Sequence, residues 1–226
     1  MTQHHANATE RAIAAFRAGG PVLIHDADDR EGETDLIYPA EAVTSDVVAR
    51  LRNDAGGLVC VALSAEVADA FELPFAQEVF DHPAAANHDL AYDDRSSFSF
   101  TVNHRETRTG ITDDDRSLTT RALAALANET RTGVATDPAE EFAAAFRAPG
   151  HVHLLRAAEG LLEERRGHTE FGLALAEAAG LAPAVVVCEM LDDTTGRALS
   201  PSAARTYAER HDLSYVEGAD LARRLG

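Results

Sequence analysis

The chain of 226 residues contains no lysine and only two cysteines. Without lysine, chemistry on a carbonyl compound cannot use a lysine Schiff base, so activation must come from a metal, acid–base groups or arginine. Cys60 and Cys188 each lie in an apolar run, which favours two buried thiols over a disulfide. No apolar stretch approaches the roughly 18 residues of a membrane span, and residues 1–9 lack the apolar core of a signal peptide. We therefore expect a cytoplasmic protein with no membrane partner.

Basic residues are also scarce, since 38 acidic residues face 20 basic ones, all of them arginine, for a net charge of −18. This balance is typical of extreme halophiles, because concentrated salt screens the self-repulsion of a highly charged protein. The chain has no basic stripe to neutralise phosphates, which argues against a nucleic-acid partner. An apolar content of 45% suffices for one core. We expect a single domain over residues 1–226, with residues 1–8 as a flexible N-terminus.

The most unusual stretch is residues 25–35, where six carboxylates surround one arginine and one glycine. It lies between segments 21–25 and 36–40, whose apolar patterns predict strands. A plain hairpin would join two such strands with two to five turn residues. The extra length and charge therefore indicate a function, although an acidic loop in an acidic protein is the simpler alternative.

Carboxylates within this stretch follow the period of a strand. If residues 31–35 are extended, Glu31, Glu33 and Asp35 point to one side. Three carboxylates at one place repel one another unless a cation or protons intervene. Hard oxygen ligands of this kind suit Mg²⁺ or Mn²⁺.

Helical and strand patterns alternate along the chain. Residues 72–95 match neither pattern and are too long for a simple connection, so we expect them to be functional or poorly ordered. The predicted helices cover residues 10–18 (capped by Thr9), 45–55, 65–71, 112–130, 169–179, 201–211 and 219–225. The predicted strands cover residues 21–25, 36–40, 58–63, 98–102, 151–156 (after a turn at 149–150), 184–191 and 213–216.

Three further places carry candidate functional groups. Thr112 opens a helix after a hydroxyl-rich turn that could offer backbone N–H groups to an anion, although a well-capped helix explains the pattern equally well. His168 lies between an arginine pair and a helix start, where a metal and a phosphate could both be held. Glu189 is the one charge in a strand predicted to be buried, and such a charge needs a partner.

Several separated motifs occur in a fixed order along residues 10–224. They are Asp28–Asp35, Asp54–Cys60, Asn103–Arg105, Thr109–Thr112 with Asp115-Arg116, Pro149–Val152, Arg165 with Gly167–Glu170, and Cys188-Glu189. In this order they resemble the 3,4-dihydroxy-2-butanone 4-phosphate synthases, particularly the archaeal branch. Together with the acidic composition, the resemblance suggests a haloarchaeal member. Arg108 stands where many bacterial members have threonine, which affects the details of phosphate binding.

The resemblance implies an α+β fold: a single three-layer α/β/α domain with a mixed β-sheet flanked by helices. It implies a metal-dependent lyase of riboflavin biosynthesis, which converts D-ribulose 5-phosphate to L-3,4-dihydroxy-2-butanone 4-phosphate and formate. The cofactor would be Mg²⁺ or Mn²⁺, with up to two ions per site when substrate is bound. The protein would be a homodimer with its sites near the interface. Two alternatives are a tRNA-modifying nucleotide-binding protein of the same general fold and an inactive member kept as an oligomerisation partner.

The resemblance also implies individual roles. Glu31 and His168 would hold the metal, while Arg30 and Arg165 would meet the phosphorylated sugar. The residues implied to bind substrate are Arg30, Glu31, Asp35, Thr109, Thr112, Asp115, Arg165, Arg166, Gly167, His168, Thr169 and Glu189. The residues implied to take part in the reaction are Glu33, Asp35, Cys60, His151 and Glu189.

Overall fold

A seven-stranded mixed sheet runs through the molecule in strand order β4-β5-β3-β6-β2-β1-β7. The computed structural model describes residues 2–27, 30–85, 93 and 95–226, and for residues 2–7 it describes the backbone alone. Strand β1 pairs parallel with β7 and β3 parallel with β5, whereas the remaining pairs are antiparallel. The strands are β1 Val22–His25, β2 Thr34–Pro39, β3 Cys60–Leu63, β4 Phe98–His104, β5 Phe146–Arg156, β6 Ala184–Val187 and β7 Ser214–Glu217.

Helices cover both faces of this sheet. They are α1 Thr2–Arg17, α2 Ser45–Asp54, α3 Ala65–Ala70, α4 Ala76–Val79, α5 Asp113–Thr132, α6 Pro138–Ala145, α7 His168–Ala179, α8 Pro201–Arg210 and α9 Gly218–Leu225. None of the helices in the described part of the chain combines the length and the apolar character needed to cross a membrane.

The core is divided into two clusters by the alternation of side chains along the strands. Leu23 belongs to one cluster, together with residues of α2, α3, α5, α6 and α8. Val22 and Ile24, its neighbours along β1, belong to the other cluster with residues of α1, α7 and α9. Because β1 is covered by apolar residues on both faces of the sheet, its sequence is a continuous hydrophobic run. The predicted three-layer α/β/α fold with a mixed sheet is confirmed.

The first helix begins earlier than its sequence pattern suggested. Helix α1 starts at Thr2, so Thr9 lies inside it and the prediction of an N-cap at Thr9 was wrong. Phe16 is fully buried, as the apolar face predicts. Flexibility of residues 1–8 stays a prediction, and Met1 lies outside the described residues.

Helix α6 was not predicted at all. Asp137 caps it by accepting a hydrogen bond from the backbone N–H of Glu140, and Pro138 occupies the first turn. Both residues are standard signals of a helix start, but the following alanines carry little apolar periodicity. The signal was present in the sequence and was overlooked.

The turn expected at residues 149–150 was also wrong, because β5 continues through them. At this point β5 pairs closely with β4, where the register shifts between Val102 and Asn103. A Cβ on Gly150 would overlap the backbone of Val102, so only glycine fits. The glycine that suggested a turn permits a close approach of two strands instead.

Residues 72–95 are more regular than expected where the structure describes them. They include α4 and a 3₁₀ helix over Pro83–Ala85. Residues 86–92 and 94 of this stretch lie outside the described residues.

Candidate active site

A cavity of about 460 Å³ gathers most of the predicted acidic residues at one edge of the sheet. Asp35 comes from the start of β2, Cys60 from the start of β3, and Glu189 follows β6. His168 is the first residue of α7, whose N-terminus favours negative charge nearby. The wall is formed by Arg30, Glu31, Glu33, Asp35, Leu58, Cys60, Ser96, Ser97, Phe98, Leu155, Arg165, His168, Thr169, Val187, Cys188 and Glu189.

The predicted convergence of Glu31, Glu33 and Asp35 is observed, because all three line this cavity. The local geometry differs from the expectation, since Glu31 lies in a turn before β2 begins at Thr34. Burial raises the pKa of Glu33, and the charges of Glu189 and Glu31 raise it further. The carboxylates thus repel one another inside the cavity, as the sequence suggested.

Asp35 and His168 form the buried floor of the cavity, with 3% and 5% of their surface exposed. Burial, together with the neighbouring acids, raises the pKa of Asp35 to about 7. Burial alone would lower the pKa of His168, but the carboxylates of Asp35 and Glu31 raise it to about 9. Its Nδ1 lies 3.5 Å from Glu31 Oε2 and 3.7 Å from Asp35 Oδ1. A charged imidazole therefore holds two carboxylates in place.

These residues fit a divalent cation. Single ligand atoms of Asp26, Glu31 and His168 lie within 4.8 Å of one another. Within the described part of the chain, the buried atoms His168 Nε2 and Asp35 Oδ1 have no hydrogen-bond partner. Carboxylate oxygens combined with an imidazole suit Mg²⁺ or Mn²⁺.

Asp26 was missed as a site residue by the sequence reasoning. Its Oδ2 accepts a hydrogen bond from the backbone N–H of Glu31 at 3.2 Å, and its Oδ1 accepts one from Glu33 at 3.1 Å. This carboxylate therefore holds the loop that presents the other two acids. An aspartate directly after a strand commonly bonds the backbone that follows, and that signal could have identified it.

Glu189 departs from its predicted environment. Regular pairing in β6 ends at Val187, and the side chain of Glu189 is exposed towards the cavity rather than buried in a strand. The chain still runs alongside β2, with a single bridge between Glu189 and Asp35. Partial burial raises the pKa of Glu189, and the charge of Glu31 raises it further. The prediction of a fully buried strand was wrong, because β6 ends at Val187 and Glu189 is exposed, although Cys188 and Met190 on either side of it are buried.

Both cysteines are free and buried, as predicted, and both line the cavity. Burial raises the pKa of the Cys60 thiol well above its usual range and raises that of Cys188 to about 12. The two thiols are therefore protonated at neutral pH, and they supply an apolar wall rather than a base.

The two predicted substrate arginines face each other across one carboxylate. Arg165 Nε lies 2.6 Å from Asp93 Oδ2, and Arg30 Nη2 lies 3.2 Å from the same oxygen. On its other side Arg165 pairs with the fully buried Glu170 at 2.8 Å. Thr169, which the resemblance implied to bind substrate, also lines the cavity. Neither Asp93 nor Glu170 was singled out from the sequence. Asp93 meets Arg165 and Arg30 across 72 and 63 residues, whereas Glu170 lies five residues from Arg165 and was overlooked.

Other predicted residues are not brought to the described wall of this cavity. We call this group the α5 cluster, and it consists of Thr109, Thr112, Asp115 and His151. Asp115 Oδ2 accepts hydrogen bonds from the backbone N–H groups of Thr109 and Gly110, at 3.2 and 2.8 Å. Thr112 caps α5 by accepting a hydrogen bond from the Asp115 N–H.

His151 joins the α5 cluster through Asn103. The backbone N–H of His151 donates to Asn103 Oδ1 at 2.8 Å, and Asn103 Nδ2 donates to the carbonyl of Thr109 at 3.5 Å. The side chains of Thr109, Thr112 and His151 are exposed. Arg166 and Gly167 lie next to the cavity in sequence but outside its described wall. One copy of the chain thus presents its predicted site residues in two separate places.

Comparisons with known proteins identify the family of this chain. A family model described as 3,4-dihydroxy-2-butanone 4-phosphate synthase matches residues 10–224. The chain belongs to this synthase family. It is 48% identical over 221 residues to the synthase of Archaeoglobus fulgidus. The alignment covers 94% of this chain and 91% of that synthase. It is 47% identical over 221 residues to the synthase of Methanosarcina mazei. That alignment covers 93% of this chain and 88% of the Methanosarcina synthase. The chain is thus an enzyme of riboflavin biosynthesis.

Solved synthase structures share the fold. The Candida albicans synthase superposes with a TM-score of 0.76 at 34% identity, covering 96% of both chains. A synthase in complex with two magnesium ions superposes with a TM-score of 0.75 at 32% identity, covering 95% of this chain and 94% of that one. That relative binds divalent metal ions in the same fold.

Proposed function

We propose that the acidic cavity binds D-ribulose 5-phosphate and converts it to L-3,4-dihydroxy-2-butanone 4-phosphate and formate. The observation that carries this proposal is the convergence of Glu31, Glu33, Asp35 and Glu189 around the buried imidazole of His168. Such crowding is unfavourable in a structural role, whereas it suits a site that holds a cation and moves protons.

Glu31 and His168 hold the cation in this proposal, with Asp26 beside them. The ion would be Mg²⁺ or Mn²⁺, and a second ion would enter with the substrate. When bound, a divalent cation stabilises the negative charge that develops on the oxygens of the sugar, as a Lewis acid. The imidazole of His168 must be neutral to act as a ligand, so binding of the ion displaces its proton.

Proton transfers would fall to the other carboxyl groups. Glu33, Asp35 and Glu189 all have a raised pKa, and that of Asp35 is about 7, so Asp35 can exist in either protonation state near neutral pH. A group of this kind can remove a proton from a sugar carbon in one step and return a proton in a later step. Thr169, which lines the cavity, would orient a sugar hydroxyl, and Cys60 would exclude water from one wall.

Turnover measurements test this function directly. Formate release from ribulose 5-phosphate should require a divalent cation, stop after exhaustive chelation, and return on addition of Mg²⁺ or Mn²⁺. Undiminished turnover after chelation would contradict the proposed metal role. A folded protein that releases no formate with either ion would instead be the inactive member of the family.

We further propose that two copies of the chain assemble so that each cavity is completed by the α5 cluster of the other copy. The support is the separation of the predicted site into a cavity and an exposed surface within one copy. The hydroxyl groups of Thr109 and Thr112, together with His151, would then reach substrate only across an interface.

Mixing two inactive variants tests the shared site. Glu31→Gln disables the cavity and His151→Ala disables the α5 cluster. If sites are shared, half of all dimers in an equimolar mixture contain one copy of each variant, and each of these dimers carries one site with both parts intact, so about a quarter of wild-type activity should return. If each site is built from one copy, no activity returns. Analytical ultracentrifugation of each variant checks that both still assemble.

Adaptation to concentrated salt is a separate proposal, supported by the net charge of −18. Salt at 1 M screens charges beyond roughly 3 Å, which relieves their mutual repulsion. The melting temperature should rise between low salt and molar KCl. A flat melting temperature over that range would contradict the proposal.

A further inference from the structure

Asp93 places a carboxylate where the substrate's anionic group is expected. It contacts Arg165 at 2.6 Å and Arg30 at 3.2 Å, the two arginines assigned to the phosphorylated sugar. Only 11% of the Asp93 side chain is exposed, against 17% for Arg30 and 16% for Arg165. These ion pairs are thus partly shielded from solvent, where charged hydrogen bonds are stronger than at an open surface.

Arg165 does not need Asp93 to hold its position. Glu170 is fully buried and accepts a hydrogen bond from Arg165 Nη1 at 2.8 Å. The same carboxylate accepts hydrogen bonds from the backbone N–H groups of Ala158 at 3.1 Å and Gly167 at 3.3 Å. Glu170 therefore holds the Arg165 guanidinium through Nη1, while Nε donates a hydrogen bond to Asp93 Oδ2.

Arg30 has capacity for another anionic partner. Its Nε lies 3.7 Å from Asp26 Oδ2 and makes no hydrogen bond within the described part of the chain. Burial alone would raise the pKa of Asp93, but the charges of Arg165 and Arg30 lower it below its ordinary value. Asp93 is thus an ionised carboxylate that two arginines share.

We propose that Asp93 is a resident anion that competes with the phosphate group of the substrate for Arg30 and Arg165, and so sets the affinity of the site for phosphorylated ligands. This inference rests on the proposed function, in which these arginines receive the phosphate. A phosphate offers more acceptor oxygens than a carboxylate and can displace it. While Asp93 occupies the arginines, the apparent affinity for any competing anion is reduced by the fraction of sites left open.

The direction of a mutational effect separates this role from a positioning role. If Asp93 competes, its removal opens the arginines and tightens phosphate binding. If Asp93 orients the arginines instead, its removal leaves them mobile and weakens phosphate binding. The two readings therefore predict changes of opposite sign in one measurement.

Inhibition by inorganic phosphate supplies that measurement. In Asp93→Ala and Asp93→Asn, the competitive inhibition constant of phosphate should fall by about tenfold, the factor expected if Asp93 occupies the arginines about nine-tenths of the time. Asp81→Asn removes one exposed charge from a nearby part of the chain and should shift the constant less than twofold. Melting temperatures of all variants verify that each is folded.

An unchanged or larger inhibition constant in both Asp93 variants overturns the inference, and so does an equal fall in Asp81→Asn, which would indicate a general effect of charge. Arg30→Gln separates this outcome from a failure of the proposed function. That variant should lose most phosphate inhibition. If it keeps the wild-type constant, the arginines do not receive phosphate and both proposals fail. If it loses inhibition while Asp93→Ala shows no tightening, only the role of Asp93 is wrong.

Discussion

The pKa of aspartate is shifted in opposite directions in two regions of the molecule. In the cavity, burial raises the pKa of Asp35 to about 7. At the start of α5, hydrogen bonds from the backbone N–H groups of Gly110 and Thr109 lower the pKa of Asp115. Hydrogen bonds from the Arg52 side chain likewise lower the pKa of Asp113 in that helix.

The difference lies in the partners that the chain itself supplies. Donors within the protein satisfy the carboxylates at α5, so these acids stabilise the folded helix start. The cavity acids face one another, one imidazole and two arginines that already share Asp93, so their charge is balanced only in part. A bound cation would balance the remaining negative charge. The cavity is therefore suited to hold a cation, whereas the helix start is not.

The largest expected effect comes from removing a cavity charge that the cation needs. Glu31→Gln should lower metal-dependent formate release by roughly 10²-fold or more, because an amide is a weaker ligand than a carboxylate. Turnover at saturating Mg²⁺ measures the loss. Asp192→Asn is the matched control, since its carboxylate is satisfied by the N–H groups of Thr194 and Thr195. Equal turnover in both variants would remove Glu31 from the site.

Glu189→Gln tests proton transfer in the same cavity. We expect kcat to fall by roughly 10²-fold, as the loss of a general acid–base group does, with little change in substrate affinity. Because Glu189 is exposed, the melting temperature should stay near the wild-type value. Wild-type turnover would exclude Glu189 from the mechanism, and a large fall in melting temperature would assign it to structure.

The protonation of His168 gives the cavity a pH signature. Its pKa is raised to about 9, above the ordinary value, so the imidazole is mostly charged at pH 7 to 8 in the absence of metal. Only the neutral imidazole binds a cation. The apparent affinity for Mg²⁺ should therefore rise by up to about tenfold per pH unit below pH 9, with close to one proton released at pH 8. Calorimetry in buffers of different ionisation enthalpy measures this release, and a constant affinity between pH 7 and 9 would be inconsistent with it.

The smallest effect is expected at α5, where the charges are already satisfied. Thr112→Ala removes the side chain that accepts the Asp115 N–H at 3.1 Å. Loss of such an N-cap lowers the free energy of unfolding by about 1 kcal/mol. Chemical denaturation of wild type and variant measures the difference. Thr112→Ser keeps the hydroxyl and should restore most of the stability, so an equal loss in both variants would argue against capping as the cause.

Local patterns predicted much of the fold and part of the site. The apolar run at residues 22–24 predicted β1, and the two-residue period predicted that Glu31, Glu33 and Asp35 converge. The first prediction succeeded because it depends on neighbours in sequence, whereas the three carboxylates converge although residues 31–33 are not in the extended strand that the second prediction assumed. Helix α6 was missed although Asp137 and Pro138 are signals of a helix start. The turn at residues 149–150 was wrong because Gly150 serves a contact with another strand.

By itself, the sequence determined the alternation of helices and strands, the acidic character of the site and the family. Motifs and periodicity depend only on the order of residues, so they can be recognised without the structure. The tertiary structure alone decided which charges meet. Asp93 reaches Arg165 across 72 residues and Arg30 across 63 residues. It also decided that Glu189 faces a cavity and that the α5 cluster lies apart from that cavity. Burial and distance set both the pKa of a group and the strength of its ion pairs, and these quantities exist only once the chain has folded.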